Sequence, residues 1–537
     1  MRLPRPWFAA LVLLAWIPAA WASAYNGRPK LVVVIVIDQF RGDYLERYRD
    51  QFGEGGFRVF LDRGAYFTDC NYDYANTRTG PGHATLFTGS YTIGHGILAN
   101  EWWDPQRRKR VTSVEDEDTK LVGIASTAPG ASPHNLLSDT LGDELKLATG
   151  GKARVFAISL KDRAAVLPAG FSGDGAYWID PKSGAWITST YYRQDLPEWA
   201  RNFNGSHRPD KYWNREWKDS DGNILGSTAP RKNKDGTAAS FYDVIGSTPF
   251  ANEYQLEFAK ELVIYEKLGA GAATDLLAIS LSANYILGHQ VGPDSPQMRS
   301  MALELDRQLA EFIGFLGHQV GLANVWMALS ADHGIAPLPE FAKTLRLPAA
   351  NLDDEDVRKQ INSLLSQKYS KKADYVLDLD YPLAWLNDEA FAGHKEADAE
   401  ADAGEAMKQT GFRGYFTKSQ LARGETPNTE SGRRYAHSYS PHGGWYVLGI
   451  PSPFHVGITK GTDHATPFSY DTHVPLAFYG LAFQPGVYRT HAEPVDMAVT
   501  LASLLGINAP THATGRVLTE ALQSPRRPAI TAAGETP

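Results

Sequence analysis

Five residues able to hold a divalent cation stand where short apolar runs stop. Asp38 follows Leu31–Ile37, Asp332 and His333 follow Val325–Leu329, His289 lies shortly after Leu276–Leu281, and His473 directly precedes Val474–Tyr479. Continuous Val, Ile, Leu and Ala runs of this length suit strands buried on both faces. In an open parallel sheet, ligands bind beyond the carboxyl ends of the strands. A lone Asp at such a place is more often a helix cap or a turn residue. The five together instead make a carboxylate-and-imidazole donor set, which suits a borderline cation such as zinc.

Two further motifs could meet an anion. Thr77-Arg78-Thr79-Gly80-Pro81-Gly82-His83 places hydroxyls before a Gly-rich turn with a helical pattern behind it. At a helix N-terminus the free amides and the dipole favour negative charge, although a Thr there also serves as a plain N-cap. Lys161-Asp162-Arg163 follows the run Val155–Leu160. Its lysine offers a point charge and its arginine a planar fork of donors, and both can reach one anion at the same sheet edge.

The elements between these residues decide whether they can meet. Helical patterns over Asn135–Leu147, Gln297–Leu316 and Val495–Leu505, the last stopping at Gly506, alternate with the apolar runs. That rhythm predicts an α/β fold with a largely parallel central sheet and helices on both faces. The stretches at about 166–250 and 340–435 interrupt it and are read as insertions that cap the site. Within the second, the acidic and alanine-rich segment Lys395–Asp402 reads as a solvated helix face. The main body is expected over 25–524, with a flexible tail over 525–537.

Composition narrows the class. The chain has 537 residues, 43% of them hydrophobic and 21% charged, which is a globular make-up with a real core. Fifty-three Lys plus Arg against 61 Asp plus Glu leave a net charge of −8, which argues against binding nucleic-acid polymers. Arg2 and Arg5, an apolar run over Trp7–Trp21, and small residues at Ala20, Ala22, Ser23 and Ala24 read as a signal peptide over 1–24. Export to the periplasm or the medium is therefore expected, with no further membrane span. The single cysteine, Cys70, excludes an intrachain disulfide and reads as a passive thiol.

Taken in order, VVVIVIDQFRGDYL, TGPGHATLFTGS at Thr79–Ser90, HGILANEWWD, SLKDRAAVLPAG, GHQVGPDS, ALSADHG and YDTHVPLAFYG resemble the alkaline phosphatase superfamily, and most closely its bacterial phosphate-irrepressible alkaline phosphatases. The resemblance runs from about Lys30 to Leu522. It implies a three-layer α/β/α fold, two zinc ions, and hydrolysis of small phosphate monoesters through a phosphothreonine intermediate. It assigns Asp38, Asp332 and His333 to one zinc, which also binds the nucleophile Thr79, and His289 and His473 to the other. It assigns Asn100, Lys161 and Arg163 to the non-bridging phosphate oxygens. One position departs. The family has an Asp four residues before the histidine of its GH motif; here that residue is Tyr285, with Asn284 before it. Tyr285 as a phenolate, Asn284 or Asp294 are the candidates to complete that ion's shell.

Three rival readings follow. A nucleotide phosphodiesterase would want a neutral or apolar pocket where Lys161 and Arg163 stand. A monoester carries one more negative charge than a diester, so these two cations favour the monoester. A sulfatase needs a C/S-x-P-x-R context, and Cys70 is followed by Asn71, Tyr72, Asp73 and Tyr74. A non-catalytic phosphate binder is the reading that Tyr285 motivates.

Overall fold

The computed structural model describes residues 27–233 and 236–523. The expected signal peptide and tail lie outside the described residues. Among the described residues, eleven strands form one mixed sheet. In chain order they are β1 (Leu31–Ile37), β2 (Ala65–Phe67), β3 (Glu115–Val122), β4 (Pro129–Ala131), β5 (Val155–Ser159), β6 (Gly175–Ile179), β7 (Trp186–Ser189), β8 (Asp275–Leu281), β9 (Val325–Ser330), β10 (Leu476–Tyr479) and β11 (Gly486–Tyr488). Their order in space is β11-β2-β10-β9-β1-β8-β5-β6-β7-β3-β4.

The centre of the sheet is parallel: β9, β1, β8, β5 and β6 all run the same way. Every residue of β1 is buried. A strand covered along its whole length has both faces packed, which explains its unbroken aliphatic run. The α/β class expected from the sequence is the one observed. Three strands are reversed, however: β7 and β4 toward one end of the sheet, and β10, which runs antiparallel to both β9 and β2. Because Ser330 pairs with Leu476, the start of β10 still lies at the edge where β9 ends.

The helices used below are α1 (Thr79–Thr88), α2 (Leu141–Ala148), α3 (Arg163–Ala169), α4 (Ala283–Val291), α5 (Pro296–Gln319) and α6 (Asp496–Leu505). The helix expected from Asn135 starts only at Leu141. Thr140 caps it, in a reciprocal box with the Asp143 side chain, so the residues before it form the approach. As the pattern predicted, α6 ends at Gly506, which takes the left-handed conformation at φ 63°.

The stretch 166–250 does not stand apart from the main sheet, because β6 and β7 extend it. Its aromatic rings serve the core there; Trp186 stacks on Phe258 with centroids 3.9 Å apart. The stretch 340–435 does build a unit of its own. Val376–Asp380, Leu383–Leu386 and Gly414–Thr417 join Tyr446–Ile450 in a four-stranded sheet with a separate apolar core. The acidic segment is helical over Glu396–Lys408, but it is not solvated all round. Glu400 is fully buried and accepts hydrogen bonds from Trp445 Nε1 at 2.9 Å and Ser419 N at 3.3 Å. Cys70 is buried, and burial pushes its thiol pKa up, as a passive thiol requires.

Candidate active site

The first cluster forms because β1 and β9 are neighbours. Asp38 leaves the end of β1, its amide bonded to Leu281 O at 3.0 Å. Gln39 then turns the chain at φ 65° and donates its own amide to Asp332 Oδ1 at 2.9 Å. Asp332 and His333 lie just beyond β9, so two carboxylates and an imidazole converge. His333 Nε2 is 3.7 Å from both Asp38 Oδ1 and Asp332 Oδ2. These three atoms are buried and have no hydrogen-bond partner. His333 Nδ1 donates to Gly334 O at 2.8 Å, which leaves Nε2 as the open nitrogen. Orphaned buried acceptors of this kind are costly unless a cation satisfies them.

The electrostatics suit a cation. Burial raises the Asp38 carboxyl, Asp332 raises it further, and Lys161 offsets this only in part. Burial also pushes Asp332 upward, but His333 and His83 outweigh it and hold that carboxyl below the usual range. Burial lowers His333 to about 4, so its ring is neutral, the form that ligates. His83 supports the cluster from behind. Its Nδ1 donates to Thr79 O at 2.8 Å, its Nε2 meets Ser280 Oγ at 2.8 Å, and its ring nitrogen is 3.3 Å from Asp332 Oδ2.

Thr79 opens α1, with Arg78 extended before it at φ −134°. The turn must be glycine-rich because it presses on the loop after β9: a Cβ on Gly82 would stand 2.2 Å from Asp332 O. Gly80 N donates to Asn100 Oδ1 at 2.7 Å, which anchors Asn100 beside the helix start. Lys161 Nζ is 3.5 Å from Thr79 Oγ1 and 2.5 Å from Asp38 Oδ2. Burial lowers the Lys161 pKa to about 8, against the pull of Asp38. Arg163 starts α3, where the Asp162 side chain accepts its amide, and its Nε is buried without a partner. Burial lowers its pKa, and the nearby Asp162, Tyr285 and Asp38 more than compensate.

A second cluster lies beside the first. One nitrogen each of His289 and His464 and a carboxylate oxygen of Asp463 lie within 4.8 Å of one another. His289 Nδ1 donates to Thr462 O and His464 Nδ1 to Thr77 O, both at 2.7 Å. The Nε2 atoms of both rings are buried and unpartnered. The His333 and His464 rings stack with centroids 3.8 Å apart, so the clusters adjoin.

The structure therefore brings together Asp38, Thr79, Lys161, Asp332 and His333, with Asn100 and Arg163 at the rim and His289 in the second cluster. His473 is a correction: it joins neither. Its Nε2 donates to Thr68 O at 3.0 Å, and its ring fills the space beneath Gly42, where a Cβ would lie 2.7 Å away. Reversed β10 brings His473 to the right edge, but its side chain is spent joining the loops after β1 and β2. Asp294 is tied to Arg47 at 2.9 Å. Asn284 donates to Asp38 O and Gln39 O at 3.0 and 3.1 Å. Tyr285 lies across Lys161, its ring centroid 2.9 Å from Nζ. The sequence reading missed Asp463 and His464. The signal was an echo: the Asp-His pair at 332–333 recurs at 463–464.

Residues 32–426 match the type I phosphodiesterase / nucleotide pyrophosphatase family. The chain is 33% identical to alkaline phosphatase PhoV of Synechococcus elongatus, over 92% of this chain and 93% of that protein. It is 32% identical to alkaline phosphatase PafA of Elizabethkingia meningoseptica, over 97% of this chain and 100% of that protein. The crystal structure of wild-type PafA superposes with a TM-score of 0.84 at 31% identity, covering 92% of this chain and 99% of that one. Murine ectonucleotide pyrophosphatase / phosphodiesterase 5 shares the fold at a TM-score of 0.54 and 15% identity.

Proposed function

Because the chain belongs to the type I phosphodiesterase / nucleotide pyrophosphatase family of the alkaline phosphatase superfamily, we propose that it is an exported, metal-dependent phosphomonoesterase acting through a phosphothreonine intermediate. The observation that carries the reading is the setting of Thr79. Its hydroxyl stands at a helix start, 3.5 Å from a buried ammonium, beside a cluster of orphaned metal-ligand atoms. Relatives named alkaline phosphatase at about one-third identity over nearly the whole chain support the monoesterase activity.

The donor sets fit two dications, and zinc suits their mix of imidazole and carboxylate. Asp38, Asp332 and His333 would hold the ion beside Thr79, and His289 and His464 would hold the other. Such a pair supplies Lewis acidity at both ends of an in-line phosphoryl transfer. The side chains do the rest. Thr79 Oγ1 attacks phosphorus as the bond to the ester oxygen breaks, the alcohol departs with the proton that Thr79 gives up, and water then cleaves the phosphothreonine to free phosphate and Thr79. Lys161, Arg163 and Asn100 orient the outer phosphate oxygens, because phosphoryl transfer asks chiefly for positioning and charge neutralisation. His83 keeps the Thr79 turn and Asp332 in register.

A diesterase is the second reading, favoured by the name of the matching family. Lys161 and Arg163 decide against it, since two extra cations reward the extra charge of a monoester. The basic and apolar N-terminal segment supports export, and among the described residues no helix is long and apolar enough to cross a membrane. Comparing an aryl phosphate with a bis-aryl phosphate tests the reading. Expected are a monoester preference, an acid-quenched phosphothreonine at Thr79, and a loss of about 10³-fold or more in Thr79→Ala. A tenfold diester preference would overturn it, as would tight phosphate binding without turnover.

A further inference from the structure

The family pattern wants a carboxylate on α4 for the second ion, and this chain has none there. The two residues at that place are occupied elsewhere. Asn284 is 1% exposed and its amide holds the Asp38 and Gln39 carbonyls. Tyr285 faces the Lys161 ammonium with its ring. Asp294 pairs with Arg47, away from both clusters.

A carboxylate is present all the same, on a different element. Asp463 Oδ1 lies 3.7 Å from His289 Nδ1 and 3.6 Å from His464 Nε2. The loop that carries it is built to stay put. Thr462 N donates to His289 O at 3.0 Å, while His289 Nδ1 donates back to Thr462 O. Gly461 passes so close that a Cβ would stand 2.1 Å from His289 O. Farther on, Asp471 accepts the Thr466 amide at 3.0 Å, and Thr77 bonds both Ala465 N and Thr466 N at 3.1 Å.

We propose that Asp463 is the carboxylate ligand of the second metal ion, so that this ligand has moved from the helix before His289 to the loop before His464. Two neutral imidazoles alone leave a dication's charge uncompensated, and a third, anionic ligand completes the three protein ligands of a catalytic zinc, which keeps its fourth position open. Tyr285 is thereby released from ligation and serves as the wall against which Lys161 packs. The proposal rests on the two-ion reading above.

Ion counting on the purified full chain tests it without reference to turnover. Zinc is measured by mass spectrometry and titrated against a competing chelator. The wild-type chain and Tyr285→Phe are expected to hold two equivalents, and Asp463→Asn to lose one, or to hold it at least about tenfold more weakly. A cobalt-loaded Asp463→Cys variant adds a direct signature, a thiolate-to-cobalt charge-transfer band absent from the wild type, whose only cysteine is buried. Two undiminished equivalents in Asp463→Asn would overturn the assignment. So would loss of an ion in Tyr285→Phe, a single equivalent in the wild type, or cobalt bound to Asp463→Cys without the band. Two wild-type equivalents lost as expected in Asp463→Asn, with no Thr79-dependent turnover, would leave the assignment standing and sink the enzymatic reading alone.

Discussion

The Lys161 ammonium is shared among three groups: the Asp38 carboxylate at 2.5 Å, the Thr79 hydroxyl at 3.5 Å and the face of Tyr285 at 2.9 Å. All are buried or nearly so, and low dielectric strengthens each contact. A phosphoryl group arriving beside Thr79 would draw on the same charge. Lys161→Ala and Arg163→Ala are each expected to lower kcat/KM for an aryl phosphate about 10²-fold or more, and for a bis-aryl phosphate by much less. Steady-state kinetics on both substrates checks this, and equal losses would undo the charge argument. Residue types at strand ends made Asp38, Asp332 and His333 legible in the sequence. The competition for Lys161 was not legible, because it joins side chains from the loops after β1 and β5, from α1 and from α4.

At the scale of elements, the loops beyond the sheet edge are wired to one another. His473 shows how a residue of the right type at the right edge still serves structure. Its ring supports the loop after β1 through Gly42, and its Nε2 holds the loop after β2 through Thr68. His473→Ala is expected to cost about 1–3 kcal/mol of stability through the lost hydrogen bond and the emptied space. Its zinc content should match the wild type. Urea unfolding and ion counting on one preparation check both halves, and a missing equivalent would return His473 to the ligand set. The sequence placed His473 near that edge and passed over His464. Only the path of reversed β10 decided which of them turns toward His289.

Across the whole molecule, the four-stranded unit is fastened to the main body next to the nucleophile. Arg78, the residue before Thr79, donates to Asp380 Oδ1 at 3.0 Å and to Tyr381 O at 2.5 Å, both at the turn of that smaller sheet. A second fastening joins Asp73 to Arg433 at 2.6 Å and to the His437 ring, which lies 3.3 Å from the carboxylate. Burial opposes ionisation of both acid and imidazole, but the contacts prevail. They hold Asp73 below its ordinary 3.8 and His437 above its ordinary 6.5. The Asp73 contribution is present above pH 3.8 and fades as pH falls through its lowered pKa; the His437 contribution is present below pH 6.5 and fades as pH rises through its raised one. The fastening is therefore strongest between those two values. Asp73→Asn is expected to cost about 1–3 kcal/mol in that window, with a smaller penalty at alkaline pH, where Arg433 and Arg434 remain charged and His437 does not. Urea melts across pH check this, and a penalty independent of pH would remove His437 from the account.

By itself the sequence determined the parallel α/β body, because β1 is aliphatic along its whole length and β5, β8 and β9 are apolar over most of theirs, and strands of that kind are buried on both faces. It also pointed to one candidate ligand group, since Asp38 and the pair Asp332-His333 follow directly from those strands. The tertiary structure alone decided the second group. His289 meets the loop of Asp463 and His464 at Thr462, 173 positions along the chain, through a loop with no periodicity, held by backbone carbonyls and a glycine contact. Periodicity reports what each element buries, whereas long-range loop contacts are settled only when the whole core has closed and fixed where each loop must pass.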